Sequence, residues 1–384
     1  MSITAVSEIS TWSKIDDPIR FFLNFPWAAE TSLGQAYLGL MSKYRRSQYS
    51  LVKNNPVYQP LAANIDFSSG RFEWIRSPLV LEDSDIDNPV NMLNAVENYL
   101  NLFQGLYNIA DLVLNNEAVH SPNGYFIDSH DTEHIRRSQS KLRVLIELIK
   151  QHSAITFDLA DRLKAELIIV QHDIGLPITG RTVPHELVAS LLTYSVLAVH
   201  PNARTPELLE IPEVVNTAVL YHVTSRFPFS EIKNQGFNGL HPYAVAVLAD
   251  ETDIGRARTT PECKSLVFNG SQDNWFYLNY FTQYSKWGWD EENNCPQFTL
   301  RSYLGQKRAH EEHFQIMNRM IQSGVKEHFI SMEDLYLQTL IDLLLVPEKV
   351  SLFKSAIKSL FGSNAYTVKI EEFNGQLTRE FFIQ

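Results

Sequence analysis

The stretch FDLADRLKAELIIVQHDIG (157–175) decides the fold of this chain. Its residues become steadily more apolar toward the C-terminal end, and Gly175 is a typical helix stop. The pattern predicts a buried helix that delivers the adjacent pair His172 and Asp173 into the interior. Burying an ionised carboxylate costs several kcal/mol, roughly, unless it is paired or bound to a cation. The pair is therefore a candidate metal or ion-pair site.

Further segments predict helices that surround this one and supply more polar groups. The segment DTEHIRRSQSKLRVLIELIKQH (131–152) opens with Asp131 as a predicted N-cap, and its apolar residues follow one face. His130 and His134 lie four residues apart beside its start, which places them on one side of the helix if it begins early enough. The other candidate helices begin or end near His185, His222 and Asp250, in HELVASLLTYSVLAV (185–199), EVVNTAVLYHV (213–223) and YAVAVLADETDIGRAR (243–258).

Imidazole nitrogens and carboxylate oxygens form the ligand mixture that a divalent metal site uses. Here they follow one another as His134, His172–Asp173, His185, His222 and Asp250. In these contexts (SHDTEHIRRS, IIVQHDIGLP, TVPHELVASLL, VLYHVTSRF and VAVLADETDIGRAR) the set resembles the HD superfamily of metal-dependent phosphohydrolases. The resemblance covers about residues 118–260.

The resemblance implies a mainly α fold, an HD-type helical bundle whose centre binds one or two divalent ions (Mn, Mg, Ni, Zn or Fe). It assigns metal ligation to His134, His172, Asp173 and Asp250, with His185 and His222 as ligands of a second ion. Asp173 would also orient the attacking water, and His130 would line or orient the site beside it as a second catalytic residue. His200 is an alternative to His222.

The implied activity is hydrolysis of a phosphate ester of a nucleotide-like or other small phosphorylated substrate by a metal-activated water. Arginine side chains give bidentate contacts to phosphate, and three that lie near proposed ligands are candidate substrate-binding residues: Arg137, Arg181 and Arg256. Many members of the family carry Lys directly after HDIG, where this chain has Leu176. Two alternatives therefore remain, an HD-type di-iron oxygenase and a non-catalytic ligand-sensing or interaction module on an HD scaffold.

Composition excludes several other classes of protein. The formal net charge of −11 over 384 residues makes general binding to nucleic acid unfavourable. Two cysteines, Cys263 and Cys295, are too few for a disulfide scaffold or a cysteine-ligated zinc site. The N-terminus lacks the pattern of a secretory signal, and the sequence contains no stretch of about 18 apolar residues. The sequence thus predicts a soluble cytoplasmic protein without a membrane span.

Three regions are expected along the chain. Residues 1–117 form a helical N-terminal region with an irregular middle, with helices predicted over 21–44 and 91–116. Residues 118–260 form the HD-like core. Residues 261–384 form a C-terminal helical region, with helices over 306–325, 332–346 and 347–362. It ends in a β-hairpin at Asn374–Gly375, within YTVKIEEFNGQLTREFFI (366–383).

Two clusters in the C-terminal region receive structural interpretations. AHEEHF (309–314) lacks the spacing of the HExxH zinc motif, so it predicts a solvated helix face. The aromatic residues of DNWFYLNYFTQYSKWGW (273–289) predict a core or an internal interface, with helical or extended structure left open.

Overall fold

The helix predicted within residues 157–175 lies at the centre of a bundle, where four other helices pack against it. A computed structural model describes residues 79–120, 129–176, 185–186, 189–190, 193, 197–223, 229, 232, 237–259 and 274–384. The predicted helix over 21–44 and the irregular stretch up to residue 78 lie outside the described residues. Within the described part the chain is mainly helical, with a small β-sheet at its C-terminal end.

Five helices build the bundle. In chain order they are α1 (Pro89–His120), α2 (Thr132–His152), α3 (Leu159–Gln171), α5 (Ile211–Tyr221) and α6 (Leu240–Glu251). Helix α3 packs against the other four, and each of its residues from Leu163 to Gln171 is buried. Burial on all sides explains why its second half is so strongly apolar, because a helix without a solvent-facing side has no need of a polar stripe.

Side-chain caps fix where the two central helices begin. The carboxylate of Asp131 accepts a hydrogen bond from the backbone N–H of His134 at 2.9 Å, which confirms the predicted N-cap of α2. Asp158 caps α3 in the same way through the N–H of Asp161. Helix α3 ends at Gln171, so His172 and Asp173 lie in the turn that follows it rather than within the helix.

Helix α6 ends earlier than the sequence predicted. The expectation that the helix continues through residue 258 is wrong, because α6 stops at Glu251 and is followed by a 3-10 turn over Arg256–Arg258. The hydroxyl of Thr252 donates to the carbonyl of Leu248, and Asp253 and Gly255 are weak helix formers. Residues 252–255, which we call the 252–255 loop, therefore leave the helix.

Short elements complete the bundle. Strand β1 (Leu79–Leu81) pairs in parallel with β2 (Leu197–Val199), and a 3-10 turn (Asp83–Ile86) leads into α1. The short helix α4 (Pro206–Leu209) precedes α5.

The C-terminal part forms a four-stranded sheet with helices. Helix α7 (Asn274–Phe281) leads into β3 (Thr282–Asp290) and β4 (Cys295–Ser302). Helices α8 (Lys307–Gln322), α9 (Met332–Leu344) and α10 (Pro347–Phe361) then connect β4 to β5 (Tyr366–Glu371), which precedes β6 (Leu377–Ile383). The strand order is β3-β4-β5-β6, with β4 and β5 parallel and the other neighbours antiparallel.

The predicted hairpin at Asn374–Gly375 is confirmed, with Gly375 at a positive φ of 87° that favours glycine. The hairpin is only half of the sheet, however, because β5 also pairs with β4. The predicted helices of this region are confirmed to within a few residues. The hairpin prediction missed the larger sheet because local patterns do not reveal the parallel β4–β5 pairing, which joins segments about 70 residues apart.

The sheet is attached to the bundle. Strand β3 packs against α2, and α10 packs against α6 and α2. The proposed boundaries at residues 117 and 260 stay predictions.

We expect Asp290→Ala to lower the free energy of unfolding by about 1–3 kcal/mol near neutral pH. Asp290 is buried at the β3–β4 turn and accepts hydrogen bonds from Asn293 and from the hydroxyl of Thr367 at 2.7 Å. Burial by itself would raise the pKa of Asp290, but these hydrogen bonds lower it from 3.8 to about 2.

Because the folded-state pKa is lowered, the stabilisation is complete above the unfolded value and is lost as the pH falls through the folded one. Chemical denaturation of Asp290→Ala should therefore differ most from that of the wild type near pH 7, and the difference should narrow below about pH 4. The exposed neighbour Glu291, replaced by Ala, is the control. Equal stability of both variants at neutral pH would contradict this assignment.

Candidate metal centre

The turn after α3, one residue of α2 and one residue of α6 meet in the interior. His134 lies in the first turn of α2, His172 and Asp173 follow α3, and Asp250 lies in the last turn of α6. The histidines and Asp173 are buried, whereas the side chain of Asp250 is 26% exposed. The packing of α2 and α6 against α3 thus brings together residues that are about 120 positions apart along the chain.

The first group of candidate ligands consists of His134, His172 and Asp250. The Nε2 atoms of both histidines lie 3.2 Å from Oδ1 of Asp250. Three donor atoms at such separations surround a point from which a cation can reach all of them. This group has the composition of a site for a divalent metal.

The second group consists of Asp173, His185 and His222. The two Nε2 atoms lie 3.1 Å apart, and they lie 3.3 Å (His185) and 3.7 Å (His222) from Oδ1 of Asp173. His222 directly follows α5. His185 and its neighbour Glu186 both have helical backbone conformation. The six ligand residues predicted from the sequence therefore lie in two neighbouring groups.

Asp173 lies between the two groups and faces both. Its Oδ2 atom is 3.0 Å from Nε2 of His172 and 3.7 Å from Nε2 of His134, while its Oδ1 atom faces His185 and His222. One carboxylate could therefore bridge two ions, with one oxygen for each.

The hydrogen bonds of the imidazoles show that the groups suit a cation. Nδ1 of His172 lies 2.8 Å from the carbonyl oxygen of Ile169, and Nδ1 of His222 lies 2.6 Å from that of Val219. A carbonyl oxygen only accepts, so Nδ1 must carry the proton, and in the neutral ring Nε2 presents a lone pair. Nδ1 of His134 is fixed similarly by Oδ2 of Asp253 at 2.8 Å.

The Nε2 atoms of His134 and His172 are buried and form no hydrogen bond within the described residues. Their lone pairs face the oxygens of Asp173 and Asp250, so acceptor faces acceptor. Such an arrangement is unfavourable unless a positive charge lies between the atoms. A metal ion would provide that charge.

The pKa shifts of His172, Asp173 and Asp250 also favour a positive charge in the site. Burial by itself lowers the pKa of His172, but the carboxylates of Asp173 and Asp250 outweigh it and raise the pKa well above its usual value. Burial would raise the pKa values of both carboxyl groups, yet the surrounding imidazoles hold them well below their usual range. Burial lowers the pKa of His185, which favours the neutral form that a metal requires.

Asp253 is a functional candidate that sequence reasoning missed. It is 2% exposed and lies in the 252–255 loop, three residues after Asp250. A carboxylate that accepts from the distal nitrogen of a ligand histidine fixes the orientation of the ring and increases its basicity. Asp253 lies in the segment ADETD beside Asp250, and its contact with His134 of α2 joins residues that are far apart in sequence, which local patterns do not show.

Two of the three candidate substrate-binding arginines are paired with acidic residues. Nε of Arg137 lies 3.2 Å from Oδ2 of Asp253, on the Nδ1 side of the His134 ring, and Arg256 pairs with Glu312 at 2.7 Å. Lys141 also contacts Asp253, at 2.8 Å. Arg181 lies outside the described residues. Their role in binding a substrate stays a prediction.

Three other histidines receive clear positions. Nε2 of His130 lies 3.8 Å from Oδ2 of Asp173, at the edge of the site. His200 follows β2 and belongs to neither ligand group. His313 is buried in α8 and bonded to Tyr277 and to the carbonyl of Ile330, so a fully solvated face over 309–314 is wrong.

Gly175 and Leu176 have packing roles beside the second group. A β-carbon at Gly175 would clash with the carbonyl oxygen of His185 and lie 2.8 Å from its carbonyl carbon. Glycine therefore allows the turn after α3 to approach the segment that carries His185. Leu176, at the position where many HD proteins have Lys, is 1% exposed and belongs to the hydrophobic core.

Comparison with known proteins gives no significant match: no protein-family model matches the sequence, and neither a curated protein nor a solved structure matches it. The buried cluster is compatible with an HD-like site. Among the described helices, none combines the length and apolar character needed to cross a bilayer.

We expect the wild type to bind two divalent ions per chain and His222→Ala to bind one. The substitution removes a ligand of the second group and leaves His134, His172 and Asp250 in place. Asp173→Ala should weaken both sites, because each loses an oxygen. Metal content after equilibration with Co²⁺, measured by elemental analysis, checks these stoichiometries.

The control for this measurement is His310→Ala, which replaces an exposed histidine on α8. It should retain both ions. Retention of two ions by Asp173→Ala would show that the carboxylate does not bridge.

Proposed function

We propose that this protein is a metal-dependent phosphohydrolase or phosphodiesterase with an HD-type centre, acting on a nucleotide-like or other small phosphorylated molecule. The observation that carries the proposal is the position of Asp173, whose two oxygens face two separate ligand groups. Paired divalent ions bridged in this way are suited to holding both the attacking and the leaving oxygen of a phosphoryl displacement.

The charges of the site favour an anionic substrate. Asp173 and Asp250 contribute two negative charges to the six ligand residues, and two divalent ions would contribute four positive ones. Asp253 and Glu186, which lies 3.6 Å from Nδ1 of His185, each add one negative charge, and Arg137, Lys141 and Arg258 lie around Asp253. The described groups therefore leave a positive excess that a phosphate ester would neutralise.

The protein residues have distinct roles in this proposal. His134, His172 and Asp250 would hold one ion, His185 and His222 the other, and Asp173 both. When bound, the ions would supply Lewis acidity and a water whose pKa is lowered toward neutrality. Asp253 keeps the proton of His134 on Nδ1, and Asp173 orients the water.

His130 is the proposed proton donor to the leaving oxygen. It lies at the edge of the site, with its Nε2 atom 3.8 Å from Asp173, and it belongs to neither ligand group. An imidazole in this position can hold a proton on Nε2 without competing for a metal.

An HD-type di-iron oxygenase is the second candidate. Two observations favour it. Leu176 is buried in the core, and Arg137 and Arg256 are paired with acidic residues within the described part of the chain. The usual cationic contact to phosphate after HDIG is thus replaced by an apolar one. A substrate oxidised at carbon would not require that contact.

One experiment separates the candidates. The full-length protein is purified without added metal, analysed for metal content, and assayed for phosphate release from a panel of nucleotides and for cleavage of bis(p-nitrophenyl) phosphate. We expect hydrolysis that depends on Mn²⁺, Mg²⁺, Ni²⁺ or Zn²⁺ and that Asp173→Asn abolishes.

Glu147→Gln, an exposed change on α2, is the matched control and should keep full activity. Bound iron with a near-ultraviolet or visible absorption band, and no hydrolysis with any of these metals, would instead support the oxygenase. A protein that binds no metal would refute both enzymatic functions and leave a ligand-sensing or interaction role.

His130→Ala should reduce kcat about 10²–10⁴-fold while leaving the metal content unchanged, because it removes a proton donor and not a ligand. Substrates with a better leaving group, such as p-nitrophenyl esters, should be affected less than alkyl esters, since they need less protonation. A uniform loss for both kinds of ester would argue against proton transfer by His130.

A further inference from the structure

The C-terminal sheet contacts the segment that follows Asp250 directly. Strand β3 runs beside the 252–255 loop, and two of its buried side chains, Ser285 and Trp287, bond to that loop. These contacts link a sheet that contains none of the metal ligands to the residues behind the metal centre.

Ser285 is bonded to the loop on both sides. Its hydroxyl lies 2.7 Å from the carbonyl oxygen of Thr252 and 2.8 Å from that of Ile254, and it accepts a hydrogen bond from the N–H of Ile254 at 3.2 Å. Asp253 lies between these two residues in the chain. A single hydroxyl therefore fixes the backbone on either side of the carboxylate that orients His134.

Trp287 holds the first residue of the loop. Its indole N–H donates to the hydroxyl of Thr252 at 2.9 Å, and that hydroxyl donates in turn to the carbonyl of Leu248 in α6. The indole ring packs against Phe298 of β4 and is buried. The contact thus joins the end of the helix that carries Asp250 to the sheet.

The far end of the loop is held as well. The N–H of Gly255 donates to the side-chain oxygen of Asn279 at 2.9 Å, and a guanidinium N–H of Arg258 donates to the carbonyl of Asp253 at 3.0 Å. The carbonyl of Arg258 accepts from the N–H of Ser129, one residue before His130. The loop is therefore fixed between the sheet and the start of α2.

We infer that Ser285 and Trp287 are positioning residues of the metal centre, which act through the 252–255 loop on Asp253 and Asp250. The inference rests on the metal centre of the proposed function. A ligand histidine binds best when the acceptor of its distal N–H is fixed, and loss of such a partner lowers metal affinity about 10–100-fold. Ser285 and Trp287 act one contact further out, so we expect the lower end of that range.

The test compares the affinity of metal-stripped full-length variants for Co²⁺, followed by the visible absorption of the bound ion. We expect Ser285→Ala and Trp287→Phe each to weaken binding of the more tightly held ion about tenfold. Both should also change the cobalt spectrum, because the orientation of His134 changes. Trp287→Phe removes the N–H donor but keeps an aromatic ring, so it also tests the inference if Ser285→Ala fails to fold.

Ser302→Ala is the matched control. Ser302 lies on β4 of the same sheet, is fully buried, donates to the carbonyl of Glu371 at 2.9 Å and accepts from the N–H of Leu304. Its loss should destabilise the fold to a similar degree while leaving cobalt affinity and spectrum at their wild-type values. If the substitutions acted only through the stability of the fold, Ser285→Ala, Trp287→Phe and Ser302→Ala would have the same cobalt affinity and the same cobalt spectrum.

The outcomes are separable. Wild-type cobalt affinity and spectrum in both Ser285→Ala and Trp287→Phe would overturn the inference, and so would a wild type that binds no cobalt. A wild type that binds cobalt but hydrolyses no phosphate ester would refute the proposed function and leave the inference to be decided by the affinities.

Discussion

The buried carboxylate of Asp173 is the constraint on which the rest of this structure depends. It lies in the turn after α3, whose residues from Leu163 to Gln171 are all buried, and an unpaired negative charge there would cost roughly several kcal/mol. Five histidines have Nε2 atoms within 3.8 Å of its oxygens, and they reduce that cost. The elements that carry these histidines, α2 and α5 among them, therefore pack against α3.

Histidines alone do not complete the arrangement. The Nδ1–H groups of His172, His222 and His134 donate to the carbonyls of Ile169 and Val219 and to the carboxylate of Asp253, which leaves lone pairs on Nε2 facing the carboxylates. The Nε2 lone pairs and the carboxylate oxygens therefore face one another without a positive charge between them. A cation between the groups would supply the missing positive charge.

The C-terminal sheet holds the chain segment that follows Asp250. The 252–255 loop is not helical, so its backbone groups need partners outside α6. Ser285, Trp287 and Asn279 provide them from β3 and α7. A part of the chain that contributes no ligand thereby fixes the geometry of two carboxylates at the centre.

The sequence by itself predicted the helices of the bundle except for residues 197–199, which form a strand, and 252–258, which leave the helix. It also predicted the cap at Asp131, the terminal hairpin and the six candidate ligands, because periodicity, capping residues and the contexts of His and Asp are local. It did not reveal the role of Asp253, the parallel pairing of β4 with β5, or the pairing of Arg256 with Glu312. Each of these joins segments that are far apart in sequence or depends on where a helix ends. Tertiary packing alone decided that Asp173 lies between two ligand groups, since only the crossing of α2, α5 and α6 around α3 sets those distances.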